Sequence, residues 1–162
     1  MNVSPVQLRS PQFLSDLTQA LAKSGLPAKR LEIELTETAI VEDGPQIAKV
    51  LSAIRRLGVT VAMDDFGTGY SSLAHLRDLP LDRIKVDRSF VATAETDRHS
   101  LAVLKGITQI ARALNVALQA EGVETPSQLA LMREVGCNAI QGYLVGRPQR
   151  LVERTVPMAL SA

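Results

Sequence analysis

Short runs dense in Val, Ile and Leu alternate along this chain with longer stretches in which apolar residues return every three or four positions. The short runs, 31–35, 59–63, 83–86, 116–120 and 139–144, have the length and composition of strands buried on both faces. The longer stretches, 11–24, 44–57, 100–114 and 126–135, predict amphipathic helices. Ser24-Gly25, Leu57-Gly58 and Val135-Gly136 place a glycine just past a last helical turn, where a left-handed cap is cheap without a Cβ. Thr125-Pro126 carries the opposite signal, an N-cap followed by proline at the first helical position. Strands alternating with helices across short loops predict an α/β domain built on a parallel sheet.

Composition narrows this reading. The chain has 162 residues, 46% hydrophobic and 22% charged, enough apolar material for one core. The formal charge of +1 gives no global field for a nucleic-acid polymer or an anionic membrane, so an anionic ligand must be held locally. The sequence contains no apolar run long enough to span a bilayer and no secretory leader pattern. The single cysteine, Cys137, reads as a small apolar residue on a buried strand, and the expected compartment is the cytoplasm or the cytoplasmic side of a membrane-anchored parent protein.

Candidate chemistry gathers at the strand ends, where parallel α/β domains bind ligands. The first predicted strand runs into Glu34 and Glu37, the second into Asp64-Asp65, the third holds Lys85, the fourth ends at Glu121 and Glu124, and the last carries Gln141. One acid at a strand end is ordinarily a helix cap or a solvated loop charge, but five ends agree here. Glu37 and Glu124 are equally suited to bracing a loop or the next helix. Adjacent aspartates after a buried strand need compensating positive charge. Oxygen donors from Asp64, Asp65, Glu34 and Asn2 suit a hard divalent cation, and the absence of clustered His and Cys argues against structural zinc. His75 and His99 stand alone and read as surface residues. Lys85, inside an apolar strand, calls for a neighbouring carboxylate or an anionic ligand. The glycines and hydroxyls of 66–72 suit a loop that closes over substrate.

The motifs NVSP, ELTE, DDFGTGYSSL, IKVDRSF, AEGVET and QGYLVGRP, in this order and over nearly the whole chain, resemble the EAL family of cyclic-di-GMP phosphodiesterases. The resemblance implies a (β/α)8 TIM-like barrel, incomplete here, that hydrolyses cyclic-di-GMP to pGpG with two magnesium or manganese ions and water. It implies that Asn2, Glu34 and Asp64 bind the first metal, that Asp65 binds the second, that Lys85 stabilises charge beside them, and that Glu121 is the general base. It further implies that Glu37 anchors the loop 66–72, that this loop and the following helix form a homodimer contact, and that Glu124 and Gln141 line the site. Two residues depart from the family pattern: Gln119 stands at a usually apolar position, and Val145 replaces a common phenylalanine.

The first two strands of the family barrel, with the Glu-Ala-Leu motif and the arginine after it, have no counterpart in this sequence, whose Met1-Asn2-Val3 corresponds to the third. The chain therefore reads as a partial EAL domain over 1–150 with a helix or tail over 151–162, a fragment or truncated product whose candidate partners include a missing N-terminal or sensory domain, its open sheet edges prone to pairing. Little activity is expected of it alone. The competing readings are a non-catalytic cyclic-di-GMP receptor, favoured by the missing glutamate, and an unrelated metal-dependent barrel enzyme, which leaves the motif string unexplained.

Overall fold

The computed structural model of the chain describes residues 1–37, 44–69 and 76–149. The expectations for His75, for the distal part of the loop 66–72 and for the tail 151–162 lie outside the described residues. Among the described residues, five strands, β1 (Glu32–Thr36), β2 (Thr60–Phe66), β3 (Arg83–Val86), β4 (Ala117–Ala120) and β5 (Ala139–Ile140), pair in sequence order. Every pairing is parallel, the arrangement expected from the strand–helix alternation. Before β1, a single parallel bridge joins Asn2 to Glu34, with Val3 N–H donating to Glu34 O at 2.9 Å and Glu34 N–H donating to Met1 O at 2.8 Å.

Among the described residues, six α-helices accompany the strands: α1 (Pro5–Arg9), α2 (Phe13–Ser24), α3 (Gly44–Arg56), α4 (Arg88–Thr93), α5 (Arg98–Ala113) and α6 (Pro126–Val135). α6 begins as its sequence predicts, with a reciprocal capping box between Thr125 and Gln128, and ends on Gly136 in the left-handed region. The short helices α1 and α4 were not evident from periodicity because neither completes two turns. Their caps were legible: Ser4 and Gln7 form a capping box, and Asp87 accepts from Ser89 N–H.

The two faces of the sheet differ in chemistry. Ile33, Leu35, Val61, Met63, Ile84, Val86, Leu118 and Ala120 are buried in the core shared with Ile47, Leu51 and Ile54 of α3, Leu104 and Ile107 of α5 and Met132 of α6. Burial of such side chains, each contributing about 1.5–3 kcal/mol, fastens the helices to the strands. By strand alternation and register, Glu32, Glu34, Asp64, Arg83, Lys85 and Gln119 share the opposite face.

Three assignments differ from expectation by more than a residue or two at an element's end. β2 continues through Asp64 and Asp65, so these residues lie within a strand instead of after it. β5 stops at Ile140, because Gly142 passes so close to Val123 that a Cβ there would lie 2.1 Å from the Val123 carbonyl oxygen. Cys137 is not on a strand: it sits half-buried between Gly136 and β5, its Sγ 4.0 Å from Met132 Sδ. The α6 helix ends two residues earlier, at Val135, and the chain enters β5 only at Ala139.

Candidate active site

Lys85 is the organising residue. It points from β3 onto the polar face and is only 4% exposed, a position a lone ammonium does not occupy without partners. Three carboxylates from three strands or strand ends supply them. Lys85 Nζ lies 2.9 Å from Glu34 Oε1, 3.0 Å from Asp64 Oδ1 and 2.6 Å from Glu121 Oε1. Burial opposes the ammonium charge, but Glu121, Glu34 and Asp64 outweigh it and hold the lysine pKa above its ordinary value. The Glu121 carboxyl is also raised, against the direction an adjacent cation alone would give: loss of water raises it, Lys85 only partly offsets this, and Asp64 and Glu34 add to the effect.

Successive residues of a regular strand point to opposite faces, so Asp64 and Asp65 should diverge. The register between β2 and β3 shifts between Met63 and Phe66, and Asp65 takes a left-handed backbone with φ 53°. This bulge re-aims the second carboxylate, and aspartate is among the few non-glycine residues that adopt the conformation readily. Oxygens of Asp64, Asp65 and Glu121 consequently all lie within 4.8 Å of one another. The Asp65 carboxyl is pushed above its ordinary pKa, chiefly by loss of water and then by the charges of Asp64 and Asp87.

An all-oxygen donor set of this kind fits a hard divalent cation. Asp64 Oδ1 strengthens the fit: it is buried, touches Lys85 as an ion pair, and has no aligned hydrogen bond. Glu34 shares Lys85 with Asp64 and Glu121, and Asn2 stands beside Glu34 at the sheet edge with its side chain exposed.

The remaining candidates occupy separate places. Glu37, just past β1, is buried and accepts from Gly67 N–H at 3.2 Å; a Cβ on Gly69 would lie 3.1 Å from its carboxylate, so the loop after β2 passes this acid closely. Glu124 is exposed, and its backbone N–H donates to Gln128 Oε1 at 2.7 Å, within the cap of α6. Gln141 follows β5 and accepts from Gln119 Nε2 at 3.0 Å. His99 is exposed, as expected. Sequence reasoning missed Asp87, whose N-cap role in front of α4 was readable from the Asp-Arg-Ser order, and Arg83, whose partners become visible only with the strand register.

Residues 1–148 match the EAL domain family. The chain is 43% identical over 148 residues to the cyclic di-GMP phosphodiesterase NbdA of Pseudomonas aeruginosa, covering 91% of this chain and 19% of that protein. Its fold superposes on a c-di-GMP complex of the PaMucR phosphodiesterase with a TM-score of 0.86 at 36% identity, covering 91% of this chain and 60% of that one. It likewise matches a manganese and cyclic-di-GMP complex of Klebsiella pneumoniae BlrP1, with a TM-score of 0.82 at 34% identity, over 91% of this chain and 38% of that one. A parallel sheet with its carboxylates collected around one buried lysine, together with these matches, identifies the chain as a member of the EAL domain family. It spans about a fifth of the length of the curated relatives it matches.

Proposed function

We propose that this chain supplies most of the catalytic face of a cyclic-di-GMP phosphodiesterase that linearises its substrate to pGpG. The observation that carries the proposal is the burial of Lys85 among Glu34, Asp64 and Glu121, with Asp65 turned back toward Asp64 by the bulge. In this reading Asn2, Glu34, Asp64 and Asp65 hold divalent metal. When bound, two hard cations such as magnesium or manganese polarise the phosphoryl group and favour ionisation of the attacking water.

The chain's own residues do the rest. Lys85 fixes three carboxylates from separate elements in one geometry and offsets their mutual repulsion. Glu121 accepts the proton of the attacking water, for which a carboxylate pKa raised toward the working pH is the suitable setting. The water oxygen bonds to phosphorus, the bond from phosphorus to the ribose 3′ oxygen breaks, and that oxygen is protonated as the ring opens. Glu37 ties the loop after β2 to the site through Gly67, and Glu124 and Gln141 line its rim. The partners proposed are cyclic-di-GMP and a second copy of the chain through the loop 66–72. Among the described residues no helix is long and apolar enough to cross a membrane.

A second reading is a receptor that binds cyclic-di-GMP without cleaving it. Calorimetric titration with manganese tests the metal assignment common to both readings. Asp64→Ala and Asp65→Ala should each weaken manganese binding at least about tenfold, a change of about 1.4 kcal/mol, whereas His99→Ala should leave it unchanged. Equal effects from all three would remove the metal site from this position.

A further inference from the structure

On the same face as the carboxylate cluster, a row of polar side chains climbs obliquely across the sheet, from Glu32 on β1 to Gln119, level with Lys85, and Gln141 beyond it. Arg83 of β3 is paired with Glu32 of β1, Nε to Oε2 at 3.3 Å. Its Nη1 donates to Oε1 of Gln119 on β4. Gln119 is itself buried, and its Nε2 donates to Oε1 of Gln141 at 3.0 Å. Gln141 is exposed on the same side.

The row has a direction. Guanidinium can only donate, so the amide oxygen of Gln119 must face Arg83. Its NH2 group must then face Gln141, whose oxygen must accept, leaving the NH2 of Gln141 turned away from the row. The orientation of an amide is normally settled by its neighbours, and here a donor-only residue two links away settles both. Glu32, by pairing with Arg83, holds the origin of the chain in place. An apolar residue at 119 would cut the link and free Gln141 to turn over.

We propose that Gln119, oriented by Arg83, is a positioning residue that presents the NH2 of Gln141 as a hydrogen-bond donor to an acceptor oxygen of the bound nucleotide. The inference rests on the cyclic-di-GMP reading of the site, and it adds a residue that contacts no ligand. Gln119→Glu is the informative substitution: carboxylate oxygens still accept from Arg83 but cannot donate to Gln141, so Gln141 must turn its NH2 inward and its oxygen toward the ligand.

Two measurements test it. In the ligand-free chain, side-chain amide resonances should show the Gln141 NH2 exchanging freely with solvent in the wild type and protected in Gln119→Glu. In calcium, Gln119→Glu should weaken cyclic-di-GMP binding at least about tenfold, the scale of one lost hydrogen bond in a charged site. The same substitution made in a Gln141→Leu background should cost less than about twofold, because the donor it misdirects is already gone. If Gln119→Glu weakens binding equally in both backgrounds, the added charge and not amide orientation is responsible, and the proposal is overturned. Unchanged Gln141 exchange in Gln119→Glu would overturn it as well. If no form of the chain binds cyclic-di-GMP, the nucleotide reading fails, while the amide exchange still decides whether Gln119 orients Gln141.

Discussion

The ionic group around Lys85 concentrates charge whose cost depends on every member being present. Removing Lys85 leaves Glu34, Asp64 and Glu121 facing each other on a poorly hydrated surface, with the more distant Met1 ammonium, 3.9 Å from Glu34 Oε2, a weak substitute. Breaking a buried ionic set from one side typically costs about 3–5 kcal/mol. Lys85→Met should therefore lower the stability of the metal-free chain by about that amount at neutral pH, read as a shift in urea midpoint, and much of the loss should return at acid pH as the carboxylates protonate. A midpoint unchanged at neutral pH would mean that the lysine is not needed to balance the acids. Cys137 offers a residue-scale check away from the site. Loss of water pushes its thiol up to about 11 from an ordinary 9.0. The folded state thus favours the neutral thiol, and the stability this contributes is present below pH 9 and lost as pH rises through 11. Alkylation by iodoacetamide, followed by mass spectrometry, should be slow at pH 8 and accelerate up to about pH 11; rapid labelling at pH 8 would show a solvated thiolate in place of a buried thiol.

At the scale of elements, the strands place the site and the turns aim it. The Gly142 approach to Val123 locks the turn after β5 against the turn after β4, two segments that carry Gln141 and Glu121. Gly142→Ala should force these backbones apart, costing about 1–3 kcal/mol as overpacking does, and should loosen Glu121 and Gln141 together; an unaltered thermal midpoint would show that the turn accommodates a methyl group. Much of this level was legible in the sequence. Strand identity, parallel order and the helices α3, α5 and α6 followed from apolar periodicity and glycine caps, because those signals are local. The bulge at Asp65 was not legible, since adjacent aspartates look the same in a regular strand, and only the mismatch in register with β3 reveals it. The row from Glu32 to Gln141 was hidden for the same reason: its members are far apart in the chain and meet only when four strands are aligned. Cys137 misled because an apolar neighbourhood fits a tight turn behind a helix as well as a strand.

For the whole molecule, the account requires that the carboxylate cluster do chemistry on a cyclic dinucleotide and not merely stabilise the sheet. The family match covers the residues that form the cluster, and the resemblance implies one more carboxylate, from a Glu-Ala-Leu string that this sequence does not carry. A missing carboxylate ligand misplaces the attacking water, and small misplacements cost about a hundredfold in rate. The most direct measurement is pGpG formation from cyclic-di-GMP at saturating manganese, comparing the chain as it stands, the chain extended upstream by a strand bearing Glu-Ala-Leu, and that extended form with Glu121→Gln. The account predicts turnover by the extended form, at least about tenfold less by the chain alone, and a loss of at least about a hundredfold with Glu121→Gln while nucleotide affinity stays within about threefold. Turnover by the Glu121→Gln form within about tenfold of its parent, a barrier difference of only about 1.4 kcal/mol, or no pGpG from the extended form, would contradict it.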